Sequence, residues 1–228
     1  MSERKGRCAG LPREGLPKFE RLFKILIVSP ESRTFIEEAR RAQIIECAID
    51  VLAERGYAHT TLAKIARRAR ISTGVISYHF GGKTQLIQAV VAEVAKLATD
   101  LMIPRILAQP TAAEGLRAYI ESNLDFMRLH RKPLLALVEI VTHATGQDGD
   151  PHPYARQAET SVTDLEKLLD WGRSSGEFRD FDSRSMAIAI RGAIDAVPGH
   201  LLNDPGFDLD RLASELVTTF TLATRRHS

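Results

Sequence analysis

The chain has 228 residues, 44% apolar and 26% charged, a balance that supports a packed interior and excludes disorder throughout. No run approaches the roughly 20 apolar residues of a membrane helix, and Cys8 and Cys47 match no metal spacing, so the expected setting is a reducing cytoplasm, with no membrane partner, metal or cofactor. The net charge of +2 hides an uneven distribution: residues 1–34 hold eight Lys or Arg against four acids, residues 35–83 eight against five, and residues 84–228 fifteen against twenty.

Residues 1–34 contain scattered Gly and Pro without a sustained period, which predicts a flexible basic extension with at most a helical turn around 19–28. Arg4, Lys5 and Arg7 are candidates there for minor-groove or phosphate contacts; a start codon assigned too far upstream accounts for the same feature. Thr34 and Glu37 have capping-box spacing. A helix is expected from there, with Ile44, Ile45, Ala48, Val51 and Leu52 on its inner face and Gly56 as its stop. Thr60 or Thr61 caps a second, short helix that buries Leu62, Ile65, Ala66 and Ala69 and leaves Lys64, Arg67 and Arg68 in water. Between Arg55 and Ala92 there is no Asp or Glu, while Arg55, Lys64, Arg67, Arg68, Arg70 and Lys83 all fall inside that stretch. A surface of one sign attracts polyanions.

After Ala69 the period breaks, Ser72 supplies a capping oxygen, and Ile76 and Phe80 form the narrow apolar stripe of a third helix. Advancing about 100° per residue puts Gly74 and Tyr78 opposite Ile76, with Val75, Ser77 and His79 on the flanks. That outward face, from Thr73 to His79, is small, polar and nearly uncharged, as base edges require. Phosphate contacts are expected from the start of the second helix at Thr61, from Ser77, Tyr78 and His79, and from Lys83.

The run from Thr61 to Leu86, TLAKIARRARISTGVISYHFGGKTQL, resembles the helix-turn-helix signature of the TetR family of bacterial transcriptional regulators. The resemblance is carried by Thr61, Ile65, Ala66, Ala69, Ile71, Ser72, Gly74, Ile76, Phe80, Lys83 and Leu86. It departs at Arg70, where the family usually has the turn glycine, and at Ser77, where a tyrosine is common. The resemblance implies an all-α protein: a three-helix DNA-binding domain at 35–83 and a larger helical domain for dimerisation and effector binding at 84–228. It further implies a homodimer on a pseudo-palindromic double-stranded DNA operator, repression, and release by a small molecule that tilts the helix beginning at Thr84.

The remaining sequence is read against that implication. Leu86, Ile87, Val90, Val91, Val94, Leu97 and Leu101 predict a long helix from Thr84 that ends at Pro104. Further helices are expected near 112–130, 133–145, 153–175, 183–200 and 208–226, and nothing reads as a strand. Ile190, Ala193, Ile194 and Val197, with Leu216 and Phe220, are the candidate dimer contacts. Tyr119, Phe126, Met127, His130, Glu139, Thr142, His143 and Trp171 are the candidate effector lining, which favours a largely apolar ligand.

Two rival classes use the same residues. A helical metal-dependent enzyme lacks support, since no histidine pair has H-E-x-x-H spacing and no serine lies in a nucleophile elbow. A nonspecific architectural DNA binder explains the basic front and leaves the acidic back without a role.

Overall fold

A computed structural model describes residues 35–143, 153–204 and 206–226, with 153–157 described by backbone alone. The expected extension at 1–34 with its candidate arginines, the Thr34 end of the capping box and the last residues of the 133–145 helix lie outside the described residues. Nearly all of the described residues fall in one compact unit, Arg40–Ser228.

Ten helices occur among the described residues: α1 Phe35–Arg55, α2 Leu62–Ala69, α3 Thr73–Phe80, α4 Lys83–Leu107, α5 Ala112–Leu129, α6 Arg131–His143, α7 Pro153–Ser174, α8 Ser183–Asp195, α9 Val197–Asn203 and α10 Leu209–Thr224. Among those residues the only β pairing is an isolated bridge between Phe178 and Arg225. The local signals act as their chemistry dictates. Gly56 takes φ +75° after α1. Thr61 Oγ1 accepts from the Lys64 amide at 3.3 Å and caps α2. Thr60, the other candidate cap, is buried and donates its hydroxyl to the Gly56 carbonyl at 2.7 Å.

Three helix boundaries near a proline differ from expectation. Pro104 does not end α4, which starts at Lys83 and continues to Leu107. A proline in the last turn removes one donor, and the ladder resumes with the Ala108 amide donating to the Pro104 carbonyl at 3.1 Å. Helix α6 begins at Arg131, two residues before Pro133, which occupies a first turn where no N–H is needed. The single helix expected over 183–200 is two, because Pro198 belongs to the first turn of α9 and cannot extend the ladder of α8.

Two apolar clusters hold unit Arg40–Ser228 together. One gathers Ile44, Leu52, Ile65, Ile76 and Leu86 from α1 to α4, and takes in Phe126 from α5 and Ala136 and Ile140 from α6. The other joins Leu116, Ile120, Leu165, Leu169, Ile190 and Ile194 from α5, α7 and α8 to Val217 and Phe220 of α10. Each fully buried Leu or Ile contributes about 1.5–3 kcal/mol. Close approach inside the second cluster depends on Gly172, where a Cβ would lie 2.2 Å from the Phe178 ring.

Candidate nucleic-acid interface

The helix-turn-helix is built from α2, a three-residue turn and α3. Arg70 closes α2 in the left-handed region at φ 54°, ψ 45°, its amide donating back to the Arg67 carbonyl. It is the one non-glycine residue with positive φ among those described. The turn therefore keeps the geometry that glycine usually serves, at a conformational cost of roughly 1–2 kcal/mol. Ser72 Oγ accepts from the Val75 amide at 3.4 Å and starts α3; Gly81, at φ +78°, ends it.

Helix α3 has the two-sided character expected of it. Ile76 is 0% and Phe80 6% exposed, while Tyr78 is 77% exposed. Thr61, Thr73, Gly74 and Ser77 are exposed as well, and Val75, His79 and Lys83 are half-buried. The Arg41 guanidinium anchors the inner end of α3, donating to the His79 carbonyl and lying 4.1 Å over the Phe80 ring. The Tyr78 and His79 rings meet edge to face at 5.1 Å.

The cationic surface is thinner than the acid-free run implies. Arg68 is not a free charge: it donates to Asp50 at 2.7 Å and to Glu54 at 2.8 Å, both on α1. Lys64, expected in water, is half-buried and donates to the His59 carbonyl at 2.7 Å. Leu62, expected inside, is half-buried too. Arg67 and Arg70 remain exposed. Lys83 lies 4.5 Å over the Tyr57 ring at the root of α4.

The eight candidate effector residues lie in different surroundings. Tyr119 is buried, and its hydroxyl accepts from Arg191 at 3.0 Å; the same nitrogen donates to Asn123 Oδ1 at 3.0 Å. Burial pushes the Tyr119 phenol up, against the opposing pull of Arg191. Trp171 is half-buried against the same core. Met127 lines a cavity of about 350 Å³ with Arg128, Arg131, Leu201, Phe207, Asp208, Leu209 and Asp210. Phe126 belongs instead to the cluster around α1 to α4, and His130 stacks on it at 5.0 Å. Glu139 accepts the Tyr57 amide at 2.9 Å, and Thr142 and His143 are exposed, the latter 3.4 Å from Glu139. Sequence reasoning missed Arg191, although a lone arginine inside AIAIRGAI was a usable signal.

Ile190, Ile194, Val197 and Phe220 are buried within one chain, and Ala193 and Leu216 pack half-buried against the same core. The large apolar side chains left exposed on α8, α9 and α10 are Ile188, Leu202 and Leu222, accompanied by exposed Ala189, Gly192 and Gly199. Helix α8 carries two apolar stripes, and the one through Ala187, Ile190 and Ile194 turns inward.

Among the described residues no group of three or more His, Cys, Asp or Glu is placed to hold a metal, and no helix is long and apolar enough to cross a membrane.

Comparison with known proteins points one way. The family described as bacterial regulatory proteins, tetR family, matches residues 44–90. The HTH-type transcriptional regulator BetI of Klebsiella pneumoniae (strain 342) is 35% identical over 92 residues, 40% of this chain and 47% of that one. BetI of Burkholderia cenocepacia (strain HI2424) is 37% identical over 91 residues, with the same two shares. The chain thus spans about half the length of the curated relatives it matches. A putative transcriptional regulator from Saccharomonospora viridis, solved in complex with choline, is 25% identical with a TM-score of 0.71, covering 83% of this chain and 99% of that one. AibR, solved with isovaleryl coenzyme A and operator DNA, shares the fold at 21% identity and a TM-score of 0.67, covering 79% and 97%.

Proposed function

We propose that this chain is a member of the TetR family of bacterial regulatory proteins, whose pattern matches residues 44–90, and that it is a ligand-responsive transcriptional repressor which binds a pseudo-palindromic operator as a homodimer. The observation that carries this reading is the two-sidedness of α3: Ile76 wholly inside, Tyr78 largely outside, and no Asp, Glu, Lys or Arg along its length. Such a helix can lie in a major groove and meet base edges with hydroxyl, phenol and imidazole groups. Two copies related by a dyad would present their α3 helices to half-sites about 34–36 Å apart.

In this reading residues 35–83 form the reading head, residues 84–228 the effector-binding and dimerising body, and residues 1–34 a basic extension ahead of them. The Arg191, Tyr119 and Asn123 cluster within an apolar body supports a small effector that is largely apolar with one polar group. The S. viridis neighbour, crystallised with choline, makes small organic cations a sensible part of the first effector screen. The protein works in the cytoplasm, as a regulator and without a catalytic role. A nonspecific architectural binder would have no use for a body in which acids outnumber bases twenty to fifteen.

Selection of bound sequences from random duplex DNA tests the proposal. Enrichment of an inverted repeat is expected, with no turnover in a parallel hydrolase and metal screen. Unpatterned binding would favour the architectural alternative, and turnover the enzyme.

A further inference from the structure

We infer that α6 sets the position of the reading head on the body, with Glu139 and Lys132 as its positioning residues. This rests on the reading that α3 binds DNA. The covalent link from head to body is the short Gly81–Gly82 turn between α3 and α4, and Gly81 there has φ +78°. One backbone turn of this kind acts as a pivot; α4 packs Leu86, Ile87, Val90 and Val94 against α1 to α3, and a second fastening, to α6, ties the head to the rest of the body.

Helix α6 supplies that fastening at two separated points. Near its end, Glu139 Oε2 accepts the Tyr57 amide at 2.9 Å. Tyr57 follows Gly56 in the turn between α1 and α2, and a Cβ on Gly56 would stand 2.9 Å from that same oxygen. The turn is therefore shaped for the carboxylate, both by its positive φ and by the room it leaves. Near the start of α6, Lys132 Nζ lies 2.7 Å from Asp50 Oδ1 on α1, while Asp50 Oδ2 takes Arg68 of α2 at 2.7 Å. Beside these points Ala136 and Ile140, both 0% exposed, enter the apolar cluster of α1 to α4.

The same helix is held to the body by other residues. Leu134 is buried in the second cluster, and Arg131 donates to the Leu201 carbonyl at 3.3 Å. Tyr57 extends the connection to α4, since its ring carries Lys83 Nζ at 4.5 Å. A charge-assisted hydrogen bond to a backbone amide is directional, so a shift of about 1 Å in α6 breaks it. Glu139 thus belongs to the junction rather than to an effector lining.

Full-length Glu139→Ala, Glu139→Gln and Lys132→Ala proteins test this, using the duplex that the wild type enriches. Glu139→Ala is expected to accelerate amide exchange at Tyr57 at least tenfold and to weaken operator binding about tenfold. Its salt slope and preferred sequence should stay those of the wild type, because α3 itself is intact. Glu139→Gln should restore most of the affinity, since an amide oxygen still accepts the Tyr57 N–H. Lys132→Ala, altered at an exposed side chain, should fold normally and bind a few-fold more weakly. Unchanged exchange at Tyr57, wild-type operator affinity in Glu139→Ala, or a Gln variant as weak as the Ala variant would each overturn the inference. Faster exchange throughout α5 and α7 would do so as well, by exposing a general loss of fold. If the wild type enriches no duplex at all, the DNA-binding reading itself falls.

Discussion

Asp50 and Arg68 form a two-point contact, with the Arg68 Nε and Nη2 groups donating to Asp50 Oδ2 at 3.0 and 2.7 Å. The pair joins α1 to α2, and Lys132 adds a third partner from α6. Burial pushes the Asp50 carboxyl up from its ordinary 3.8, but the hydrogen bonds and charges of Lys132 and Arg68 outweigh that effect and hold it lower. A carboxyl lowered in the folded state contributes stability that is complete above the ordinary value and is lost as pH falls through the lowered one. Asp50→Asn should therefore be less stable than the wild type at pH 7, and the two urea midpoints should converge below about pH 4. A gap that persists undiminished into the acid range would mean that Asp50 acts through packing instead.

Arg70 offers a stability test of opposite sign. Its left-handed backbone costs roughly 1–2 kcal/mol, whereas glycine adds back about 0.5–1 kcal/mol of unfolded-chain entropy. Arg70→Gly should gain about 0.5–1 kcal/mol, read as a raised urea midpoint with unchanged slope. Arg70→Val, β-branched, should lose stability at the same position. Equal midpoints for the arginine and glycine proteins would show that the turn relaxes without strain.

The helix-turn-helix is legible in the sequence because its instructions are local. Thr61 and Ser72 cap within three residues of themselves, Gly56 and Gly81 stop helices by their own backbone freedom, and Ile76 with Phe80 states which side of α3 is inner. Arg68 misled for the converse reason: its acidic partners sit on the preceding helix, just outside the acid-free run. Glu139 finds its partner 82 residues away, a pairing that no period encodes. In α8 the difficulty was ambiguity, since Ala187, Ile190 and Ile194 lie inward while Ile188 and Gly192 form an exposed stripe beside them. Either stripe fits an amphipathic helix, and only tertiary packing selects between them.

Sequence preference and general affinity should separate on α3 and its flank. Tyr78 is 77% exposed, so Tyr78→Ala should leave the melting temperature almost unchanged while altering the duplex enriched from a random pool. Lys83→Ala should weaken binding to every duplex and reduce the slope of log affinity against log salt by about one unit. The reverse pattern, with Lys83 governing sequence and Tyr78 inert, would mean that the head docks in another orientation.

Dimerisation separates the two stripes of α8. If the exposed residues meet a second copy across a dyad, charge placed there opposes association without disturbing the chain's own core. Ile188→Glu is expected to sediment as a folded monomer, and Gly192→Leu to weaken the dimer by blocking close approach, because a Cβ at that position would meet no packing neighbour within 4 Å beyond its own helix turn. Ile190→Ala should instead remain dimeric and lose about 2–5 kcal/mol of stability, since the side chain is wholly buried. Loss of operator binding should then follow Ile188→Glu and not Ile190→Ala, provided the latter is assayed below its melting temperature. A dimeric Ile188→Glu protein would place the interface on another face of the body.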